Sequence, residues 1–174
     1  MKTFMLTLRT LRVMAAIALA QTAPAGLLGA PATWDSAEFH AVVSGTSTRH
    51  DWSVETTTAS GRYHATTGTG TITIPARSLS GGPKGLNERM HAALKADAFP
   101  TIVFEAYDFT PPAGAPDPGH TSSATIKGRL TIAGASRELA LAVNVTATAQ
   151  RIVLETDVPL KLTDFGIKPR HSWA

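Results

Sequence analysis

From Ala124 to Ile132 the side chains alternate between the two faces of an extended chain. Ala124, Ile126, Leu130 and Ile132 fall on one face, with Thr125, Lys127, Arg129 and Thr131 on the other. The same period of two returns at Gly70–Ile74, Thr101–Tyr107, Glu138–Thr146 and Arg151–Val158. Only strands repeat their side chains every second residue, so at least five half-buried strands carry this chain. It is a wall with an apolar inside, and its function turns on what that inside holds.

The inward-facing set is Phe39, Val43, Ile72, Ile74, Ile102, Phe104, Ile126, Leu130, Leu139, Leu141, Val143, Ile152 and Leu154. Several other inward positions are small (Ala41, Ala106, Ala124, Gly128), which leaves room at the centre and favours a cavity over a filled core. Phe39–Gly45 reads as the first strand. Trp52–Thr58 and Gly61–Thr66 read as weaker, more solvated strands rich in Thr, Ser and Tyr. One helix interrupts the pattern, with Leu86, Met90, Ala93 and Leu94 at i, i+4, i+7 and i+8. Asn87 is its expected N-cap, and Pro100 bars continuation past Phe99. Strands that meander with short connections make an antiparallel barrel or sandwich, and the helix's narrow apolar stripe places it over a barrel mouth or against the wall. Pro111–Gly119 is an irregular loop. The Gly134-Ala-Ser136 turn joins the best-defined hairpin. Arg151–Leu162 is the last strand, with Pro159 marking an edge or bulge.

The first 32 residues read as a cleavable export signal. Lys2, Arg9 and Arg12 form a basic start, Val13–Ala20 is a short apolar run, and Ala-x-Ala sites stand at Ala18–Ala20 and Ala30–Ala32. Cleavage is expected after Ala32, with Ala20 as the alternative, leaving 33–174 as one domain in the periplasm or outside the cell. The apolar run falls short of the about 20 residues that a spanning helix needs. No stable membrane insertion is therefore expected after cleavage.

The formal net charge of +3 arises from 16 basic and 13 acidic residues. Removing the three basic leader residues leaves 13 against 13, so the domain has no electrostatic footprint for nucleic acid. The chain has no cysteine, which excludes disulfides, thiolate metal sites and lipid attachment through cysteine.

Candidate chemistry is sparse. His50 and Asp51 are adjacent, with Ser47 and Ser53 near, but strand neighbours point to opposite faces and no G-x-S-x-G elbow exists. No catalytic residue is assigned. Glu88 and His91 stand at i, i+3, which supplies two metal ligands where a closed site needs about four. His40, His64, His120 and His171 have no ligand spacing, so neither a metal nor a cofactor is expected.

Several segments occur in an ordered set: Gly45-Thr-Ser-Thr-Arg-His-Asp-Trp52, Ile74-Pro-Ala-Arg-Ser-Leu79, Leu86-Asn-Glu-Arg-Met90 running on to Leu94-Lys-Ala-Asp97, Phe99-Pro-Thr-Ile-Val-Phe104, Gly128-Arg-Leu-Thr-Ile-Ala-Gly134 and Leu162-Thr-Asp-Phe-Gly-Ile-Lys-Pro169. Together, from about Phe39 to Pro169, they resemble the YceI-like family of exported lipid- and polyisoprenoid-binding proteins. The resemblance implies an all-β, eight-stranded, lipocalin-like antiparallel barrel with a long apolar tunnel, some members of which hold isoprenoids or other long-chain lipids. In that family a further stretch after the segment resembling Thr163–Pro169 supplies the closing strand. Here Arg170-His-Ser-Trp-Ala174 follows instead, so either the sequence is shortened or frame-shifted or closure is achieved otherwise.

The expected ligand is thus a long-chain isoprenoid or fatty amphiphile. Its tunnel lining is the inward set above with Trp52 and Phe165. Arg49, His50, Lys161 and Lys168 are candidates for meeting its head group, with Arg170 beside them. A homodimer through an open edge is a further expectation. The competing readings are a barrel-based enzyme acting on a small lipid-like substrate and an interaction module with a filled core.

Overall fold

The computed structural model describes residues 7–18, 33–35, 38–46, 51–64, 67–82, 85–110, 120–147 and 151–167. They form β1 (Thr7–Ala18), β2 (Thr33–Asp35), β3 (Glu38–Thr46), β4 (Asp51–Thr56), β5 (Ser60–His64), β6 (Thr69–Pro75), α1 (Leu86–Ala93), β7 (Thr101–Thr110), β8 (Thr121–Ile132), β9 (Ala135–Ala147) and β10 (Arg151–Val158). All ten strands lie in one sheet, in the order β2-β5-β6-β7-β8-β9-β10-β1-β3-β4, and its pairs are antiparallel. Eight of these strands are those expected from the sequence; β1 and the three-residue β2 are additional.

The sheet curls so that its flanks approach. β4, at one edge, meets the segment leaving β6: the Glu55 amide donates to the Ser80 carbonyl (2.8 Å), and the Ser80 amide donates back to Glu55 (2.9 Å). Beside this bridge the Thr56 and Ser78 hydroxyls lie 2.7 Å apart, and Thr56 Oγ1 also accepts from the Thr58 amide (2.9 Å). Thr56 is the one buried polar residue among those described, and these bonds satisfy it.

Hairpin chemistry sets the register. β8 and β9 pair from Thr121↔Thr146 to Ile132↔Ala135, joined at Ala133 and Gly134, both at positive φ (50° and 81°). Two positive φ values give the turn twist that matches paired strands. Between β7 and β8 the register shifts at Tyr107. Without that extra residue strict alternation would turn Asp108 inward. The bulge instead sets Phe109 opposite Ile126, while Asp108 reaches Lys127 Nζ on the outer face (3.0 Å).

Four local expectations need correction. β4 is strongly buried on one face, because Trp52, Val54 and Thr56 all point inward; its many hydroxyl residues hide that alternation. α1 begins after Gly85, and the Asn87 Oδ1 accepts from the Gly81 amide (3.1 Å), so Asn87 fastens a loop rather than capping the helix. The helix ends well before Pro100. Lys95 takes φ 52°, the Ala96 amide donates to the His91 carbonyl (2.9 Å), and the Lys95 amide donates to that of Ala92 (3.1 Å). That is a Schellman stop with lysine where glycine is usual. β10 stops at Val158, directly before Pro159, rather than running to Leu162.

Thr7–Ala18, the segment read as the heart of an export signal, forms β1 here. It pairs with β10 on one side (Leu11↔Val158 to Ala18↔Arg151) and β3 on the other (Thr7↔Thr46 to Ala16↔Glu38). It therefore joins the last strand of the expected barrel to the first. Pro111–Gly119 lies outside the described residues. Among those residues no helix is long and apolar enough to cross a membrane.

Interior packing is close at Gly128, opposite Ala106. A Cβ there would stand 2.5 Å from the Phe104 ring and 2.6 Å from the Glu105 carbonyl oxygen. Gly128→Ala should therefore lower unfolding stability by about 1–3 kcal/mol in urea denaturation. An unchanged midpoint would show that β7 and β8 do not approach so closely.

Candidate functional site

Among the described residues the inner faces line two adjacent apolar cavities. The first, about 60 Å³, lies between β3, β4 and α1 and is lined by Ala41, Val43, Trp52, Leu79, Met90, Ala93, Leu94, Ile132, Leu160, Leu162 and Ile167, with Ile74 and Ile102. The second, about 90 Å³, runs along β6–β10 and is lined by Phe39, Ile72, Phe104, Ile126, Leu130, Leu139, Leu141, Val143, Leu154, Thr156 and Val158, again with Ile74 and Ile102. Ile74 and Ile102 are direct cross-strand partners, both buried. The cavities therefore adjoin, divided by this isoleucine pair.

The lining follows from the strands. Alternation sends Ile72 and Ile74 inward from β6, Ile102 and Phe104 from β7, Ile126 and Leu130 from β8, and Leu139, Leu141 and Val143 from β9. The helix stripe contributes Met90, Ala93 and Leu94. Its His91 Nε2 lies 2.9 Å from the Leu79 carbonyl oxygen and ties α1 to the segment after β6. Among the described residues no charged side chain lines either cavity. Thr156 is the sole hydroxyl of the described lining, and it donates to the Ala142 carbonyl (2.8 Å). Each space has room for a few methylene-sized groups as it stands. A long chain must part the walls to pass between them.

Of the expected lining residues, Val43 and Trp52 reach the first cavity, Ile74 and Ile102 both, and Phe39, Ile72, Phe104, Ile126, Leu130, Leu139, Leu141, Val143 and Leu154 the second. Phe165 is buried in the main core but lines neither. Ile152 stands in β10 with its side chain outside the described residues. Sequence reasoning missed Leu160, Leu162 and Ile167. Their alternation with exposed Lys161 was visible, but Pro159 and the 3₁₀ turn at Leu162–Phe165 interrupt the strand signal.

The charged candidates are not brought together. Arg49, His50, Lys168 and Arg170 lie outside the described residues, and Lys161 is exposed between two inward leucines. Asp51 is exposed at the start of β4, and Glu88 is exposed on α1. His40 Nε2 lies 3.0 Å from Glu55 Oε2 at the surface. Among the described residues no three His, Asp or Glu side chains are placed to hold a metal ion.

The perturbed titrating groups lie away from the cavities. On the exposed outer face Glu138 is held below the usual carboxylate range by the Tyr107 hydroxyl and then by Arg129 (2.8 Å). The same contacts raise Tyr107 and Arg129. Burial pushes up Tyr63, whose ring packs edge-on against Phe109 with centroids 6.0 Å apart. None of these groups offers acid–base chemistry to the interior.

Comparison with known proteins places this geometry in context. The family described as YceI-like domain matches residues 31–173. A polyisoprenoid-binding domain from Saccharophagus degradans, implicated in plant cell wall breakdown, superposes with a TM-score of 0.60 at 17% identity, covering 89% of this chain and 82% of that one. BcnA of Burkholderia cenocepacia superposes with a TM-score of 0.54 at 16% identity, covering 92% and 83%. No curated protein matches the chain.

Ile102→Ala removes half of the dividing pair. It should cost about 2–5 kcal/mol in urea unfolding, because the vacated volume opens onto both cavities. A cost well under that range would show that the interior collapses onto the site.

Proposed function

We propose that this chain, which belongs to the YceI-like family, holds a long apolar chain such as an isoprenoid or fatty amphiphile in its interior and carries or sequesters it without a reaction of its own. The observation behind this reading is the pair of adjoining apolar cavities with no charged group among the described residues of their walls. The polyisoprenoid-binding domain among the structural neighbours supports it.

The driving force is transfer of methylene groups from water to a dry wall. Each contributes about 0.8 kcal/mol, so a ten-carbon tail yields roughly 8 kcal/mol gross. Lost motional freedom and the work of parting the walls remove several of these. What remains is compatible with micromolar binding.

An ionised head group has no partner inside and stays at the mouth, where Lys161 is the described cation of the four candidates. No nucleophile or acid–base group faces the interior among the described residues, which favours binding over catalysis.

Export to the periplasm belongs to the same reading. Cleavage after Ala32 would take β1 away and leave β10 and β3 as edges able to accept another strand, including one from a second copy.

Organic extraction of the purified protein followed by mass spectrometry should release a long-chain amphiphile. Added prenyl or fatty chains should raise the melting temperature, by the equivalent of about 2.7 kcal/mol at a hundredfold excess over Kd. Empty preparations that no such chain stabilises would overturn the carrier reading.

A further inference from the structure

Two strands that line the second cavity are not neighbours in the sheet. Phe39 on β3 and Leu154, Thr156 and Val158 on β10 all face that space, and β1 lies between the two strands. Ala15 of β1 stands opposite both Phe39 and Leu154, and Leu11 stands opposite both Val43 and Val158. Without β1 the wall would carry a slot two strand spacings wide, roughly 10 Å. That slot would open sideways onto the cavity of about 90 Å³.

The connections hold β1 less firmly than its neighbours. β3–β4, β8–β9 and β9–β10 are hairpins, whose turns fix their register. β1 belongs to no hairpin: residues 19–32 and then β2, which pairs with β5 instead, separate it from β3. Its sequence, Thr-Leu-Arg-Thr-Leu-Arg-Val-Met-Ala-Ala-Ile-Ala, lacks the strict apolar and polar alternation that pins a strand in register. Three of its last four residues are alanine, a weak strand former. Its pairing with β3 is also interrupted by a register shift between Leu8 and Thr10.

We infer that β1 is a removable strap over the second cavity, and that the slot between β10 and β3 is where the apolar chain enters and leaves. The inference rests on the carrier reading and deepens it. β1 can depart while the rest of the wall stays in place. β10 keeps its pairing with β9, β3 keeps its pairing with β4, and the Glu55–Ser80 bridge still joins β4 to the chain leaving β6. The backbone groups uncovered lie along two strand edges, where water can satisfy them. Entry there reaches the second cavity directly, and the chain passes the Ile74–Ile102 pair only to extend beneath α1. Withdrawal of β1 opens the slot transiently; cleavage after Ala32 would open it for good.

The test fastens the strap in the full chain, which has no cysteine of its own. Ala16 is directly opposite Val153 on β10, and Arg12 is directly opposite Val42 on β3. Val153 and Val42 alternate with the cavity-lining Leu154 and Val43, so both stand on the outer face. Directly opposed positions of antiparallel strands lie within disulfide reach. The variant carries Ala16→Cys with Val153→Cys and Arg12→Cys with Val42→Cys. Entry and release of cis-parinaric acid are followed by its fluorescence in the delipidated protein, oxidised and then reduced with dithiothreitol. Oxidation should slow both rates by at least roughly thirtyfold, the counterpart of the about 2 kcal/mol that a disulfide contributes at the low end. Kd should not change, because β1 is seated in both the empty and the loaded form.

If the reduced variant does not fold, the wild-type chain decides alone. Amides of Thr7–Ala18 should exchange with solvent at least roughly tenfold faster than those of β8 and β9. Uptake of cis-parinaric acid should level off with rising concentration, at the opening rate of β1. Equal rates in the oxidised and reduced variant, or a changed Kd with an unmoved release rate, overturns the strap and leaves the carrier reading in place. So does a β1 as protected from exchange as β8 and β9, or uptake that never levels off. Failure of the wild-type chain to bind cis-parinaric acid overturns both.

Discussion

The interior depends on the closure of the curl. A half-curled sheet presents its apolar face to water unless its flanks meet, and here the meeting is made by two backbone hydrogen bonds between Glu55 and Ser80. They hold the edge strand β4 against the chain leaving β6, and that chain then runs into α1. Trp52 and Val54 on β4, Leu79 beyond β6, and Met90 and Leu94 on α1 are thereby turned toward one another. Burial of those faces drives the curl. The bridge and the Thr56–Ser78 contact let it proceed without stranding backbone or hydroxyl groups.

The enclosed space is modest because the walls are made of large side chains. Ile74 and Ile102 meet across β6 and β7 and separate the cavity under the helix from the one along β6–β10. Interiors are close-packed, so voids of 60 and 90 Å³ forfeit contact energy that a guest can restore. An apolar guest restores it along most of the wall.

Much of this was legible in the residues. Strict alternation in β8 and β9, where Lys127, Arg129 and Glu138 face outward, fixed which side chains point in, and nearly all of the expected lining is found at the cavities. What alternation could not show was geometry that depends on a partner strand. The bulge at Tyr107 reverses the facing of Asp108 and Phe109, and only the pairing with Ile126 and Lys127 reveals it. The Lys95 helix stop carries no glycine to announce it. Trp52 was recognisable as an inward anchor. β1 was hidden for another reason: a basic, then apolar, then small-residue pattern serves a leader and a strand equally well.

On the carrier reading, the two cavities form one path for an apolar chain, gated by the Ile74–Ile102 pair. Crystals soaked with a terminally brominated twelve-carbon alcohol test it by anomalous diffraction. Bromine is expected inside, within the walls shared by Ile74 and Ile102. Bromine confined to the outer surface, or none at saturating alcohol with both isoleucines unmoved, would contradict it.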